Sequence, residues 1–269
     1  MIIDFHTHIF PDKIANKTIQ TLSEKGGIPP FSDGTVNGLL DAMEKAETDI
    51  SITLPVMTSP SQFDSINTFA AKINETFADS QKKLISFAGI HPLCEDIEKK
   101  MKFIKDNGFL GIKLHPDYQG TFIDDDSYVK ILECAKEYDL IVVTHSGADC
   151  GFRGQPVKCT PDRVLKLIEK VPYSKLVLAH MGANEMFDEV YDKLCGTEVY
   201  FDTAYVLRFI GEDMFKKILK NHGEDKVLFA TDTPWSDVKT DVNILRSFNL
   251  GERVENKIFC ENAQKLLGI

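Results

Sequence analysis

The chain has 269 residues, of which 43% are hydrophobic, and its 31 basic and 41 acidic side chains give a formal net charge of −10. This hydrophobic content is sufficient for a large packed core and excludes intrinsic disorder. The negative charge argues against an extended nucleic-acid partner. No apolar run approaches the roughly 18 residues that a membrane span needs.

The amino-terminal sequence MIIDFHTHIF has neither the basic start nor the continuous apolar stretch of a signal peptide. It predicts the first strand of the fold. None of the six cysteines forms a C-x-x-C pair, so we expect reduced thiols in a cytoplasmic protein. Cys150 and Cys159 share one predicted loop, where a thiol of the site and a simply buried cysteine are both open interpretations.

Eight short apolar runs alternate with amphipathic stretches. The runs begin near Ile2, Asp49, Leu84, Phe109, Leu140, Lys175, Glu198 and Lys226. Their spacing of about 32 residues is the length of one strand–helix unit. Several runs are almost continuously apolar, as in parallel strands that are buried on both faces. The pattern therefore predicts a single (β/α)8 barrel domain over residues 1–269.

Helical periodicity lies between these runs. It predicts helices over residues 36–47, 62–79, 161–170, 238–248 and 256–267, and shorter ones from 126 and over 214–219. Two connections are predicted as long loops, 10–33 after the first strand and 146–160 after the fifth. Both leave the carboxyl end of a strand, where barrel active sites form, so we expect them to contribute to function.

Six of the seven histidines lie at the ends of predicted strands. His6 and His8 end the first strand, and four others end the third to sixth strands: His91, His115, His145 and His180. Residues two apart on a strand point to the same side, so the rings of His6 and His8 share a face, although periodicity does not decide which. His222 instead ends a helix, where a cationic ring in a structural role suits the helix dipole.

Asp232 ends the eighth strand, which lies beside the first strand once a barrel closes. Histidines and a carboxylate that converge from the first, fifth, sixth and eighth strands match the ligand preferences of zinc, manganese and iron. The sequence therefore predicts a divalent-metal site at the mouth of the barrel, with zinc as the first choice.

The same residues carry a resemblance to a known family. The motifs are DFHTH at 4–8, GIHP at 89–92, GIKLHP at 111–116, THSG at 144–147, LAHMG at 178–182 and ATDTPW at 230–235. Together they resemble the amidohydrolase superfamily, and above all the amidohydrolase-2 group of metal-dependent hydrolases and nonoxidative decarboxylases. The resemblance implies a barrel that holds one or two divalent ions.

By position, the resemblance makes His6, His8 and His145 metal ligands. It makes His180 a ligand of a second metal or a group that polarises substrate or water. Asp232 would bind the metal and act as a proton shuttle, because a carboxylate within hydrogen-bond reach can pass the proton of a water to a leaving group.

Residues of the fourth strand are expected to contact the substrate. Lys113 and His115 are two apart and share a face. Two roles for Lys113 stay open: a carboxylated lysine that bridges two metals, or the favoured role of binding an anionic substrate group. His115 and His91 are assigned to substrate binding or to orienting their neighbours, and a structural core role for His91 is also open.

Two further residues complete the predicted site. Arg153, in the loop after the fifth strand, is a candidate clamp for a carboxylate, and a solvated loop arginine is the alternative. Trp235, the only tryptophan, is expected to form a wall of the pocket.

The leading functional hypothesis is a metal-dependent hydrolase of a small anionic molecule, which uses an activated water. The alternative is a nonoxidative decarboxylase of an aromatic or unsaturated acid, and the motifs do not separate the two. A TatD-type nuclease shares the opening motif, but GIKLHP lacks its strand-four glutamate. A non-catalytic metal-binding barrel is a further alternative. No nucleic acid or membrane partner is expected, and a homo-oligomer is left open.

Overall fold

The computed structural model describes residues 1–269, in which parallel strands alternate with helices. The strands are β1 (Ile3–Thr7), β2 (Ile50–Thr53), β3 (Lys83–Ser86), β4 (Ala88–Gly89), β5 (Gly111–Leu114), β6 (Ile141–Thr144), β7 (Leu176–Leu178), β8 (Tyr200–Asp202) and β9 (Val227–Leu228). The helices are α1 (Asp12–Gly26), α2 (Val36–Ala46), α3 (Phe63–Thr76), α4 (Ile97–Asp106), α5 (Pro116–Gln119), α6 (Asp126–Glu137), α7 (Pro161–Lys170), α8 (Phe187–Lys193), α9 (Glu212–His222), α10 (Val238–Ser247), α11 (Glu252–Asn256) and α12 (Asn262–Leu267).

The strands close into one (β/α)8 barrel, as the sequence predicts. They form two parallel sheets in the orders β1-β2-β3 and β4-β5-β6-β7-β8-β9. β3 and β4 are two parts of the third barrel strand, separated only by Phe87. At the other junction the N–H of Phe5 donates to the carbonyl of Phe229 (2.9 Å), and that of Asp232 donates to the carbonyl of His6 (2.8 Å). The first and the last barrel strands are therefore neighbours, and the barrel is closed.

A β-bulge in β1 determines which side chains reach the mouth. The register between β1 and β2 shifts within the strand. Before the shift, Ile3 and Phe5 pack with apolar residues from the other strands inside the barrel. Beyond it, His6 and His8 also face the interior, where they line a cavity. An extra residue changes the side to which the following residues point, which explains why simple alternation could not assign the histidines to a face.

The expectation for residues 10–33 is wrong, because this segment contains the 15-residue helix α1. Ala15 and Ile19, four residues apart, are the buried residues of α1, and the left-handed Gly27 (φ 66°) ends the helix. Residues 146–160 remain a loop apart from one 3-10 turn. Helix α7 has the predicted bounds. No helix in the structure combines the length and the hydrophobicity that a bilayer span requires.

The expected cation at His222 is also wrong, although the residue does end α9. Its ring is buried and stacks on Phe201 at a centroid distance of 3.8 Å. Burial lowers the pKa of His222 to about 4, and Nε2 donates to the carbonyl of Val199 (3.0 Å). The ring is therefore a neutral part of the core.

Asp4 connects β1 to the segment that follows β9. Its Oδ1 accepts hydrogen bonds from the backbone N–H groups of His6 (3.3 Å) and Thr231 (3.0 Å). Its Oδ2 accepts from the Thr231 hydroxyl (2.6 Å). Complete burial raises the pKa of Asp4 to about 8, against the opposing effect of these bonds. The contacts hold the chain segments of His6 and Asp232 side by side.

We expect Asp4→Ala to lower the free energy of unfolding by about 3 kcal/mol or more, because three buried donors lose their acceptor. Asp4→Asn is the matched control. Its amide oxygen can keep both backbone bonds, and the Thr231 hydroxyl can accept from the amide nitrogen. We expect less than half the loss in this variant, measured by urea unfolding. Equal losses in both variants would show that the hydrogen bonds are not the stabilising feature.

Candidate active site

A cavity of about 430 Å³ opens at the carboxyl-terminal mouth of the barrel. It is lined by most of the residues that the sequence proposes for the site: His6, His8, Lys113, His115, His145, His180, Asp232 and Trp235. Each lies at, or a few residues beyond, the end of a barrel strand, because parallel strands present their carboxyl ends at one edge. The barrel thus brings together residues that are up to 229 positions apart in the chain.

His6, His8 and Asp232 converge on one point. His6 Nδ1 donates to Asp202 Oδ2 (2.9 Å) and His8 Nδ1 donates to the carbonyl of Leu54 (2.7 Å). In the neutral rings both Nε2 atoms therefore carry a lone pair. These atoms lie 3.2 Å apart, and Asp232 Oδ1 is 3.0 Å from that of His8. Three facing electron pairs repel one another unless a cation or a proton lies between them.

His145 and His180 form a second pair beside this point. His180 Nδ1 donates to the carbonyl of Ala204 (2.9 Å), so its Nε2 lone pair faces His145 Nδ1 at 2.8 Å. Burial lowers the pKa of His180 to about 4 and that of His145 well below its usual value. His145 Nε2 has no hydrogen-bond partner. Either neutral tautomer of His145 therefore leaves at least one buried ring atom unsatisfied.

Asp232 is ionised in this setting. Burial favours its neutral form, but the close His8 ring and the charges around it hold its pKa below the usual value. Asp232 and His180 both have left-handed backbones, with φ of 66° and 62°. Non-glycine residues adopt this conformation at a cost of order 1–3 kcal/mol, and such strain clusters at functional sites. The N–H of His180 is held by Asp202 Oδ1 (2.9 Å).

Lys113 lies at the floor of the cavity. Its side chain is buried, and Nζ is 2.9 Å from His6 Nε2. Burial lowers the pKa of Lys113 to about 8, although Asp202 and Asp232 favour the charged form. The amine therefore lies next to the proposed ligands rather than at the entrance.

A second group of possible ligands lies on the other side of His145. His115, His145 and Asp149 bring one donor atom each within 4.8 Å of one another. His115 Nε2 is 3.4 Å from Asp149 Oδ2, but its ring stacks on His145 at 4.2 Å and 5°. Lone pairs lie in the ring planes, so two parallel rings are poorly oriented to share one ion. His145 Nε2 instead faces the carboxylates of Asp117 and Asp149 at 3.9 and 4.0 Å.

Two of the proposed substrate residues do not line the cavity. His91 is buried elsewhere, and its Nδ1 accepts from the N–H of Leu93 (3.1 Å). The Arg153 side chain is 71% exposed and lies on a neighbouring surface depression.

All six cysteines are free. Cys150 lines the cavity, whereas Cys159 is buried, and its burial raises the pKa of the thiol to about 12.

Sequence reasoning missed four acidic residues around the histidines: Asp4, Asp117, Asp149 and Asp202. A signal for two of them was present. Asp4 and Asp202 interrupt the apolar strand sequences IIDF and VYFD, and a carboxylate buried in a strand requires partners. Asp117 and Asp149 follow strand-end histidines by two and four residues, a spacing that carries no general signal.

Solved structures share this fold at low sequence identity. A 2,6-dihydroxybenzoate decarboxylase from Rhizobium is 16% identical, with a TM-score of 0.69 and coverage of 99% of this chain and 98% of the other. A 5-carboxyvanillate decarboxylase from Novosphingobium aromaticivorans, complexed with manganese and 4-hydroxy-3-methoxy-5-nitrobenzoic acid, is 16% identical, with a TM-score of 0.70 and coverage of 100% and 96%. A TIM-barrel protein from Bordetella bronchiseptica is 14% identical, with a TM-score of 0.75 and coverage of 99% and 98%.

Comparison with curated protein sequences finds no match. The family comparison is decisive, because the model described as amidohydrolase matches residues 3–269 and therefore includes every strand and every cavity residue described above. The chain belongs to the amidohydrolase family.

Proposed function

We propose that this chain is a metal-dependent hydrolase that cleaves a C–N or C–O bond in a small organic molecule, with residues 1–269 forming a single catalytic domain. The observation that carries the proposal is the set of inward lone pairs. His6, His8 and His180 each donate Nδ1–H to a fixed acceptor, so each turns an unprotonated Nε2 into the same cavity. Such a set is stable around a cation.

The donor types fit zinc best. We propose His6, His8, His145 and Asp232 as ligands of one ion, with His180 beside it as the ligand of a second ion or as a group that polarises water or substrate. Neutral imidazole is the required ligand form, and burial lowers the pKa of His6, His145 and His180. Imidazole-rich sites suit zinc and iron, whereas manganese prefers oxygen ligands; the manganese in one similar structure makes that ion the second choice.

The residues around the ion have separate roles in the reaction. When bound, a divalent cation supplies Lewis-acid chemistry and lowers the pKa of water, to about 7 in favourable sites. Asp232, ionised beside His8, takes a proton from water in the cavity and delivers it to the leaving group. Lys113 at the cavity floor binds an anionic substrate oxygen, and His115 and Trp235 position the substrate.

A nonoxidative decarboxylase is the second candidate. The named decarboxylases of similar fold favour it, as does the cation of Lys113, which can hold a substrate carboxylate. In that reaction the bond between the carboxyl carbon and its neighbour breaks, carbon dioxide leaves, and a proton replaces it on carbon. Ester, lactone, amide and carboxylic-acid panels, assayed before and after chelation, distinguish the two. Carbon dioxide release without net water uptake indicates the decarboxylase, and bound metal without any turnover contradicts both.

Metal content tests which donors hold the ion. We expect chelated protein to take up zinc, measured by elemental analysis, and His8→Ala to reduce the uptake strongly because it removes one of the converging lone pairs. His115→Ala is the matched control, since it removes a histidine of the same cavity from the other ligand group. If His8→Ala retains zinc and His115→Ala loses it, the proposed ligand set is wrong, and the ion is instead held by His115, His145 and Asp149.

Asp232→Asn should lower turnover by about two to four orders of magnitude, because an amide cannot accept the proton of water. The rate is measured at saturating metal, with bound metal determined in the same sample, so that weaker ligation is separated from loss of the base. Asp188→Asn, an exposed position on α8, is the control and should leave the rate unchanged. An unchanged rate in Asp232→Asn would refute the proton-shuttle role.

Lys113→Met should raise KM for anionic substrates while metal stoichiometry stays constant, because the ammonium is lost and a side chain of similar length fills its space. If Lys113 is instead carboxylated and bridges two ions, the same variant loses one of them. Steady-state kinetics and elemental analysis on one preparation therefore decide between the two roles.

A further inference from the structure

The cavity continues away from the metal donors into an apolar region. Its far wall is built by α1 and the loop after it, the loop after β2, and α3. Six apolar residues of these elements line the cavity: Ile14, Leu22, Ile28, Val56, Ile66 and Phe69. None of them is fully buried, and Ile14 is 50% exposed. The fold therefore leaves several apolar side chains open to the cavity, and covering them is favourable by burial alone.

Charge is confined to the other end of the cavity. The only cationic side chain that lines it is Lys113 at the floor, and its carboxylates are Asp149 and Asp232, also near the histidines. No arginine lines the cavity, and Arg153 lies outside it. A second anionic group at the apolar end would lose hydration without gaining a partner. The cavity is therefore charged at one end only.

The apolar wall is held in place rather than loosely attached. On α1, the Lys25 ammonium lies 3.5 Å from the ring centroid of Phe152 and 4.3 Å from that of Tyr118. These cation–π contacts join α1 to the loop after β6 and to α5. Beyond α1, the N–H of Phe31 donates to the carbonyl of Pro234 (2.7 Å). A wall that is ordered before binding adds affinity because little further ordering is required.

We propose that the substrate carries one oxygen-rich reacting group and an uncharged hydrophobic group of several carbons, which lies against α1. The proposal rests on the proposed function, since it takes the converging donors as the place of reaction. The cavity of about 430 Å³ has the size of pockets that enclose small organic ligands. Helix α1 is then the element that selects the substrate.

The test uses straight-chain hydroxamic acids, from acetyl to decanoyl, as probes of the zinc-loaded protein by calorimetry. The metal-binding head stays constant while the tail grows. We expect Kd to fall about fourfold per added methylene, the affinity equivalent of burying one CH₂ group, and then to level off when the cavity is full. Probes of equal length that end in a carboxylate should show no such gain.

Matched variants on α1 locate the effect. Leu22 lines the cavity, whereas Gln20 on the same helix is exposed. In Leu22→Glu, the Kd of the acetyl hydroxamic acid divided by that of the octanoyl hydroxamic acid should be close to one. Gln20→Glu introduces the same charge and should leave this ratio at its wild-type value. Thr18→Trp, which fills cavity space without a charge, should make the affinity level off at a shorter chain; it provides an independent test if Leu22→Glu does not fold.

Two outcomes would overturn the proposal, and they are distinguishable. If acetohydroxamate binds only to zinc-loaded protein but Kd does not depend on chain length, the metal site stands and the hydrophobic substrate group is refuted. If no probe binds in a zinc-dependent manner, the proposed function fails and this inference fails with it.

Discussion

The site depends on hydrogen bonds that fix the imidazole rings through Nδ1, the ring nitrogen that faces away from the cavity. Asp202, at the end of β8, accepts from His6 Nδ1 and from the N–H groups of His180 and Ala204. One buried carboxylate thus sets the tautomer of a ring on β1 and the backbone of the segment after β7. Such outer contacts determine which ring nitrogen faces the cavity, and hence whether a histidine can act as a ligand.

The barrel supplies the second requirement, which is to hold strand ends that are distant in sequence at fixed separations. Asp4 performs this for the first and last barrel strands through Thr231, and the left-handed backbones of His180 and Asp232 then aim their side chains inward. These conformations are unfavourable in isolation and persist because the surrounding hydrogen bonds determine them. Stability elsewhere in the barrel is therefore coupled to the geometry of the donors.

The sequence was sufficient for the barrel and for the strand-end histidines at its mouth, because continuous apolar strands and strand-end histidines are local signals. It was insufficient where a contact between residues distant in the sequence determines the direction of a side chain. The bulge in β1 depends on pairing with β2, so alternation could not orient His6. The sequence does not reveal helix α1, because GGIPPF, which begins at the last residue of the helix, has the composition of a loop. The solvent-facing position of Arg153 depends on how residues 146–160 fold back, which no local pattern encodes.

Burial of the cavity residues affects both their protonation and the kind of substrate that the cavity accepts. Removing water from the histidines lowers their pKa, so they stay neutral and available as ligands at neutral pH. The same low-dielectric surroundings strengthen the attraction between Asp232 and any cation beside it. Bulk water weakens both effects, and an apolar group against α1 displaces it without introducing a competing charge. A hydrophobic substrate group would therefore complete the enclosure on which the electrostatics of the donors depend.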